Sequence, residues 1–274
     1  MVQPPRPEVR FRSYNPYEAR YPGRRVVSRD TLHLIKQLRG QGYRVIVEPN
    51  DGTPLNYIAE KGFHELLSDP VIAMLVGIPI NIATNLFSNW AYDRLNKKKA
   101  RLGDGDTHAV LEFDEQGRRA RYDQSGAAIS DERFGLLLAS LDERARRYHE
   151  VMDTRPPDPA RPIPLQLEHT DKIVGWAQIS VDEAGLKVDG GHVFDDDTRA
   201  RIESGELKGF SIAALVKSAE CSICHGEYVE CDHIANEEYG GRRCTVALVR
   251  TDLAEISIVK EPVNPAALLQ VRAG

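Results

Sequence analysis

The four cysteines of this 274-residue chain all lie in one short segment, residues 221–244. The segment has the sequence CSICHGEYVECDHIANEEYGGRRC, in which a Cys-x2-Cys turn is followed by Cys-x-His. An x2 turn lets two thiolates converge on one tetrahedral ion, so this spacing is typical of zinc sites. The N-terminal residues lack the apolar stretch of a secretory signal, so we expect reducing surroundings. Structural zinc is the favoured interpretation, and two disulfides or free thiols are the alternative.

Five residues compete for the four positions of a tetrahedral zinc site. His225 is not among these five, because it directly follows Cys224 and is the weakest candidate ligand. We favour the first four of the following set, with the fifth competing: Cys221, Cys224, Cys231, His233 and Cys244. The ion is expected to hold an insertion between two strands in place rather than to take part in chemistry.

A proline-rich stretch divides the chain. Residues 152–164 have the sequence MDTRPPDPARPIP, which contains four prolines before Ile163 and therefore cannot continue a helix. We place a domain boundary there, with an N-terminal α/β region at residues 1–153 and a β-rich domain at residues 154–274. Residues 105–150 are also candidates to pack with the second domain.

Local patterns define the expected elements on each side of this boundary. Beyond it, short strand-like runs separated by turns surround one brief helix, DDDTRARIESGEL, so the predicted fold class is α+β. Before it, the predicted elements are a strand at 8–14, a helix at 28–43, a strand from 44, a long helix at about 57–96 broken at Pro70 or Pro79, a hairpin around Gln116 and Gly117, and a helix at 130–151.

Residues 71–92 carry no formal charge and are long enough to span a bilayer. However, Asn81, Asn85 and Asn89 recur every fourth residue and share one helical face. We therefore favour an amphipathic helix that packs in a core or binds a partner. Membrane contact is the alternative.

Charge narrows the function classes. The formal net charge is −5, which argues against a nucleic-acid-binding chain, because phosphate contacts require clustered Lys and Arg. Hydrophobic residues make up 41% and charged residues 28%, as in ordinary soluble proteins. We expect a cytoplasmic protein, with peripheral membrane association through residues 71–92 as an alternative and the oligomeric state left open.

Three residues of the second domain have the side chains that acyl transfer requires. His169 follows the strand-like PLQLE, Ser211 lies within the strand-like GFSIAALV, and Glu255 lies within LAEISIV. A hydroxyl attacks a carbonyl when a base takes its proton, and the base works best when a third group fixes its tautomer. Residue types alone do not show that these three side chains meet.

The order of four motifs resembles the tailed-phage prohead (capsid maturation) serine protease family, whose fold is related to that of herpesvirus assemblin. Family members have an Asn-His-Asp-like triplet before Ile-Gly, a Gly-Leu strand, a helix leading into Leu-x-Gly-x-Ser-Ile, and a closing Glu-Val-Ser-Leu-Val-x-x-Pro-Ala-Asn-Pro. This chain has LEHTDKIVG, AGLKVDG, RIESGELKGFSI and AEISIVKEPVNPAA in the same order. The resemblance covers about residues 163–269.

The resemblance implies an assemblin-like barrel and a serine endopeptidase. Ser211 would be the nucleophile and His169 the general base, and Glu255 would orient the imidazole, with Asp252 as its substitute. The implied substrate is capsid or scaffold protein during phage head maturation, or the chain itself. The alternatives are a catalytically inactive protease fold that binds such proteins, and a phage-responsive or membrane-associated effector.

Overall fold

The computed structural model describes residues 8–60, 71–76, 109–153 and 162–269, apart from residues 16, 19, 116–117, 124–126, 171, 184 and 263. The fold is a strand-rich α+β arrangement, as predicted. The helices are α1 (Arg29–Gly40), α2 (Asp131–Asp153) and α3 (Asp196–Glu203). The strands are β1 (Glu8–Arg12), β2 (Arg25–Ser28), β3 (Arg44–Glu48), β4 (Leu55–Glu60), β5 (Val71–Val76), β6 (Ala109–Glu115), β7 (Arg118–Asp123), β8 (Ile163–Leu167), β9 (Ile173–Asp182), β10 (Gly185–Val193), β11 (Gly209–Cys221), β12 (Glu238–Tyr239), β13 (Arg242–Arg243) and β14 (Val246–Val259).

Two mixed sheets organise these strands. The first has the order β3-β1-β5-β6-β7, and the second has the order β10-β9-β8-β14-β11-β4-β2. The long strands β11 and β14 pair antiparallel along their length and enclose the cysteine-rich segment between them. The pair β12 and β13 forms a small separate ribbon within that segment.

Local capping explains where the predicted helices begin. Ser28 is the N-cap of α1, and its Oγ accepts a hydrogen bond from the backbone N–H of Thr31 at 3.1 Å. Asp195 caps α3 in the same way, accepting from the backbone N–H of Thr198 at 2.8 Å. The predicted helices at 28–43, 130–151 and after Asp195 are therefore confirmed, with shorter bounds for the first and last.

The predicted long helix at residues 57–96 is wrong over the part that the structure describes. Leu55–Glu60 is strand β4, which pairs with both β2 and β11. Val71–Val76 is strand β5, at the centre of the first sheet. Short apolar runs do not distinguish a buried strand from a helix by periodicity, and here pairing with neighbouring strands decided. Residues 77–96, including most of the uncharged stretch, lie outside the described residues.

No helix among the described residues is long and apolar enough to cross a membrane.

Strands β6 and β7 pair antiparallel and confirm the predicted hairpin. The strand-like runs predicted beyond the proline-rich stretch are also confirmed, and the last of them is the long strand β14.

Three of the four apolar clusters among the described residues join the helices to the sheets or the strands of the second sheet to one another. The first joins α1 to β1 and to the cysteine-rich segment, and it includes Phe11 and Leu38. The second packs α2 against the central strands through Tyr148 and Val151. The third lies around β8 and β14, and includes Ile256. Residues from both sides of the predicted boundary contribute to the first two clusters.

Candidate functional site

Three adjacent strands bring the predicted catalytic residues to one region of the second sheet. Strand β14 lies between β8, with which it pairs in parallel, and β11, with which it pairs antiparallel. In the antiparallel pair Ser211 lies opposite Ser257, and Ala213 lies opposite Glu255. Residues opposite each other in a pair share a face, and residues two apart on a strand do as well. Ser211, Glu255 and Ser257 therefore lie on the same face of the sheet.

His169 and Glu255 form a buried pair. His169 Nδ1 lies 3.1 Å from Glu255 Oε1. The exposed fraction is 4% for His169 and 0% for Glu255, so the pair is shielded from water. An imidazole held at Nδ1 by a carboxylate has its orientation and tautomer fixed, and Nε2 is then the nitrogen available for proton transfer.

Ser257 connects the two members of this pair. Its hydroxyl lies 3.2 Å and 3.3 Å from the two carboxylate oxygens of Glu255, to which it donates. The same Oγ accepts a hydrogen bond from the backbone N–H of His169 at 3.1 Å. We did not predict a role for Ser257, although the alternation in EISIV places it on the face of Glu255 and would have identified it.

The turn that carries His169 has an unusual backbone. Glu168 and His169 both have positive φ, 50° and 55°. Such conformations are uncommon for residues other than glycine and persist where the surroundings over-determine them. Here the N–H of Glu168 donates to Ile258 O at 2.9 Å, and the N–H of Thr170 donates to Leu167 O at 2.8 Å. These bonds hold His169 above the end of β8.

The substitute carboxylate and the proposed nucleophile occupy different settings. Asp252 forms an ion pair with Lys217, and its backbone pairs with that of Leu215 rather than with the part of β11 around Ser211. Glu255, not Asp252, is thus the carboxylate placed on His169. Ser211 is buried, with an exposed fraction of 8%.

The second candidate site is the cysteine-rich segment. The ligand atoms of Cys221, Cys224, Cys231 and His233 all lie within 4.8 Å of one another. These are the four residues favoured from the sequence, and such a group could hold a metal ion. His233 Nδ1 is buried and has no hydrogen-bond partner among the described residues. One imidazole nitrogen of His233 lies within 4.8 Å of the three sulfurs, and a buried ring nitrogen without a hydrogen-bond partner fits such a metal-binding histidine.

The other candidate ligands lie beside this group. Cys244 Sγ is 3.8 Å from Cys221 Sγ, too far for a disulfide, and all four cysteines are free. His225 lies outside the group and its Nδ1 is 3.1 Å from Glu220 Oε1. The disulfide alternative is therefore absent from the described structure.

The pKa values of the neighbouring thiols Cys221 and Cys244 shift in opposite directions. Burial and the contact with Cys221 raise the pKa of Cys244 to about 11. Burial also raises the pKa of Cys221, but backbone hydrogen bonds from Cys224 and Ile223 outweigh it and lower that pKa to about 6. Hydrogen bonds to sulfur favour the thiolate, which is the form that binds metal. Of the two, Cys221 is the better ligand.

Side chains of helix α1 contact the loop segment that carries the candidate metal ligand Cys231. Lys36 Nζ donates to the backbone carbonyl of Cys231 at 2.6 Å and to that of Tyr228. Arg39 Nη1 donates to Val229 O at 3.1 Å. Burial lowers the pKa of Lys36, whose exposed fraction is 1%. We did not predict these contacts, since nothing in the local pattern of α1 distinguishes Lys36 from a surface lysine.

Comparisons of the chain with protein-family models, with curated proteins and with solved structures find no match.

Proposed function

We propose that the chain is a serine endopeptidase that resembles the phage prohead proteases, with Ser211 as nucleophile, His169 as general base and Glu255 as the group that orients the imidazole. The observation that carries this proposal is the buried His169–Glu255 pair, 3.1 Å apart, on the sheet face that Ser211 shares. An imidazole–carboxylate pair can activate a serine hydroxyl on the same sheet face for acyl transfer when the second imidazole nitrogen reaches that hydroxyl.

The proposed reaction has two steps. Ser211 Oγ attacks the peptide carbonyl while His169 Nε2 takes its proton, and the imidazolium then gives that proton to the leaving amine. Water, deprotonated by the same imidazole, hydrolyses the acyl-enzyme and restores the serine. Glu255 orients the imidazole, and its carboxylate stabilises the imidazolium that forms in each step.

The protein substrate proposed from the motif resemblance is capsid or scaffold protein, or the chain itself. The fold proposed around the site is the assemblin-like barrel that the motif resemblance implies. A cytoplasmic location and the absence of nucleic-acid binding belong to the same proposal.

We also propose that the cysteine group binds structural zinc through Cys221, Cys224, Cys231 and His233. Three thiolates and one imidazole are a common zinc ligand set, and four protein ligands leave no position for substrate. Bound zinc would fix the loop between β11 and β14. The zinc titration described for Lys36 below tests this proposal on the wild-type protein.

The test of the peptidase compares the wild type with Ser211→Ala. Each protein is incubated with a scaffold–capsid fusion and, separately, with a fluorophosphonate probe, and intact mass is recorded. We expect fragments and one phosphonyl adduct in the wild type only. Ser180→Ala is the matched control, because Ser180 is an exposed serine on β9; it should behave like the wild type.

The outcomes separate the two main functional classes. A phosphonyl adduct on Ser211 without cleavage of the fusion would keep the hydrolase and reject this substrate. Neither adduct nor fragments, in a protein with an unchanged fold, would instead indicate a binding module that retains the protease fold. In that case the burial of Ser211 would be explained by a structural role in the strand.

A further inference from the structure

We propose that Lys36 is the counter-cation of the metal centre, so that docking of helix α1 on the cysteine-rich loop depends on the bound metal. This inference rests on the proposed metal site and not on the peptidase. It assigns the metal a second task, which is to join the N-terminal helix to the loop between β11 and β14.

The ammonium group of Lys36 is buried and has several polar contacts with the cysteine-rich loop. Its Nζ reaches two backbone carbonyls, those of Tyr228 and Cys231, and lies 3.5 Å from Cys231 Sγ. The same nitrogen lies 3.8 Å from the centroid of the Tyr228 ring. Among the described residues, no carboxylate forms an ion pair with Lys36. Besides the Tyr228 ring, the side chain that it does contact is that of Cys231, a candidate metal ligand.

Charge explains why the metal matters to this lysine. Three thiolates and a neutral imidazole around a divalent ion leave one negative charge on the centre. Burying a cation is costly unless an opposite charge compensates it. With metal bound, Lys36 meets that single negative charge. Metal binding holds the Cys231 sulfur, 3.5 Å from Lys36 Nζ, in the thiolate form, and without metal nothing fixes that charge beside the ammonium.

One face of α1 recognises one loop segment. His33, Lys36 and Arg39 are spaced by three residues, which places them on the same side of a helix. They contact Tyr228 Oη at 3.3 Å, the Tyr228 and Cys231 carbonyls, and Val229 O, respectively. Because this segment leads directly into the ligands, its position is linked to the metal.

The experiment titrates metal-free full-length protein with zinc against a chromophoric chelator. Lys36→Met keeps the length of the side chain and removes its charge. Lys187→Met is the matched control, because Lys187 lies on β10 with a side-chain exposed fraction of 63%. We expect Lys36→Met to weaken zinc binding by about 10–100-fold, the usual effect of losing an outer-shell partner. The control should bind zinc as tightly as the wild type.

Thermal unfolding of the same proteins supplies a sign test. Lys36→Met should lower Tm in the zinc-loaded state and leave Tm unchanged or higher in the metal-free state, where no bound metal holds the Cys231 sulfur as a thiolate beside the buried charge. A packing role alone would lower Tm in both states by the same amount. Equal zinc affinity in Lys36→Met and wild type, or an equal loss of Tm in both states, would overturn the proposal.

Hydrogen exchange of the wild type decides the matter if Lys36→Met does not fold. Removing zinc should increase amide exchange in Arg29–Gly40 and leave Asp196–Glu203, the internal control, unchanged. No change in Arg29–Gly40 would contradict the proposal. A wild-type protein that binds no zinc would remove the metal site and this inference together, whereas tight zinc binding without these effects would remove the inference alone.

Discussion

At the scale of single residues, Ser257 contacts both members of the proposed catalytic pair. It donates to Glu255 and accepts from the backbone N–H of His169. One hydroxyl thus fixes both the carboxylate and the strained turn on which the imidazole is mounted. We regard Ser257 as a positioning residue, since it acts through His169 and Glu255 rather than on the substrate.

Ser257→Ala should slow phosphonylation of Ser211 by up to about 100-fold, because small misplacements of a catalytic group cost rate of this order. Ser257→Thr retains the hydroxyl on a strand that favours β-branched residues, and it should restore most of the rate. The measurement is the rate of adduct formation by intact mass, with Tm measured for each variant. Equal rates in the alanine and threonine variants would show that the hydroxyl has no positioning role.

At the scale of elements, strands β9 and β10 approach each other closely at Gly175. A Cβ built there would lie 2.0 Å from the backbone oxygen of His192, so only glycine fits without moving a strand. Strand β9 also pairs with β8, which leads into the His169 turn. Gly175 therefore allows the close pairing of β9 and β10, and β9 in turn pairs with the strand that carries the His169 turn.

Gly175→Ala should lower the free energy of unfolding by about 3 kcal/mol or more, because the added methyl group clashes with backbone atoms of the paired strand β10. Gly190→Ala is the matched control in the same strand pair, since a Cβ at Gly190 meets nothing within 4 Å. That change should stay within about 1 kcal/mol. Urea unfolding of both variants measures the difference. Similar values for the two variants would mean that the strand pair adjusts to the added methyl group.

At the scale of the whole molecule, the second sheet takes strands from both sides of the proline-rich stretch. Strands β2 and β4 precede it, and the other five strands follow it. Helix α2 packs against β8 and β9 through Tyr148 and Val151, which share a cluster with Ile173. The second sheet and its cores thus belong to the whole chain.

A fragment of residues 154–274 should therefore fail to unfold cooperatively. Without β4 and α1 it would expose Leu215 and Val216, which are buried in the full chain. Circular dichroism during heating measures this, and co-expression of residues 1–153 as a separate chain should restore a cooperative transition. A sharp transition in the fragment alone would show that residues 154–274 form an independent domain.

The sequence by itself determined the features that depend on neighbouring residues. Capping by Ser28 and Asp195, the strand runs after Ile163 and the favoured ligand set all follow from local spacing and side-chain chemistry. The pairing of His169 with Glu255 was a hypothesis from motif order, and the structure places the two side chains within hydrogen-bond distance.

Only the tertiary structure decided the features that depend on distant partners. Leu55–Glu60 and Val71–Val76 have apolar patterns compatible with a helix, and they are strands because β2, β11, β1 and β6 supply pairing edges. Lys36 has no local signal, because its partners lie about 190 residues further along the chain. Local chemistry therefore determined the residue types and spacing of both candidate sites. Long-range packing determined which residues surround them.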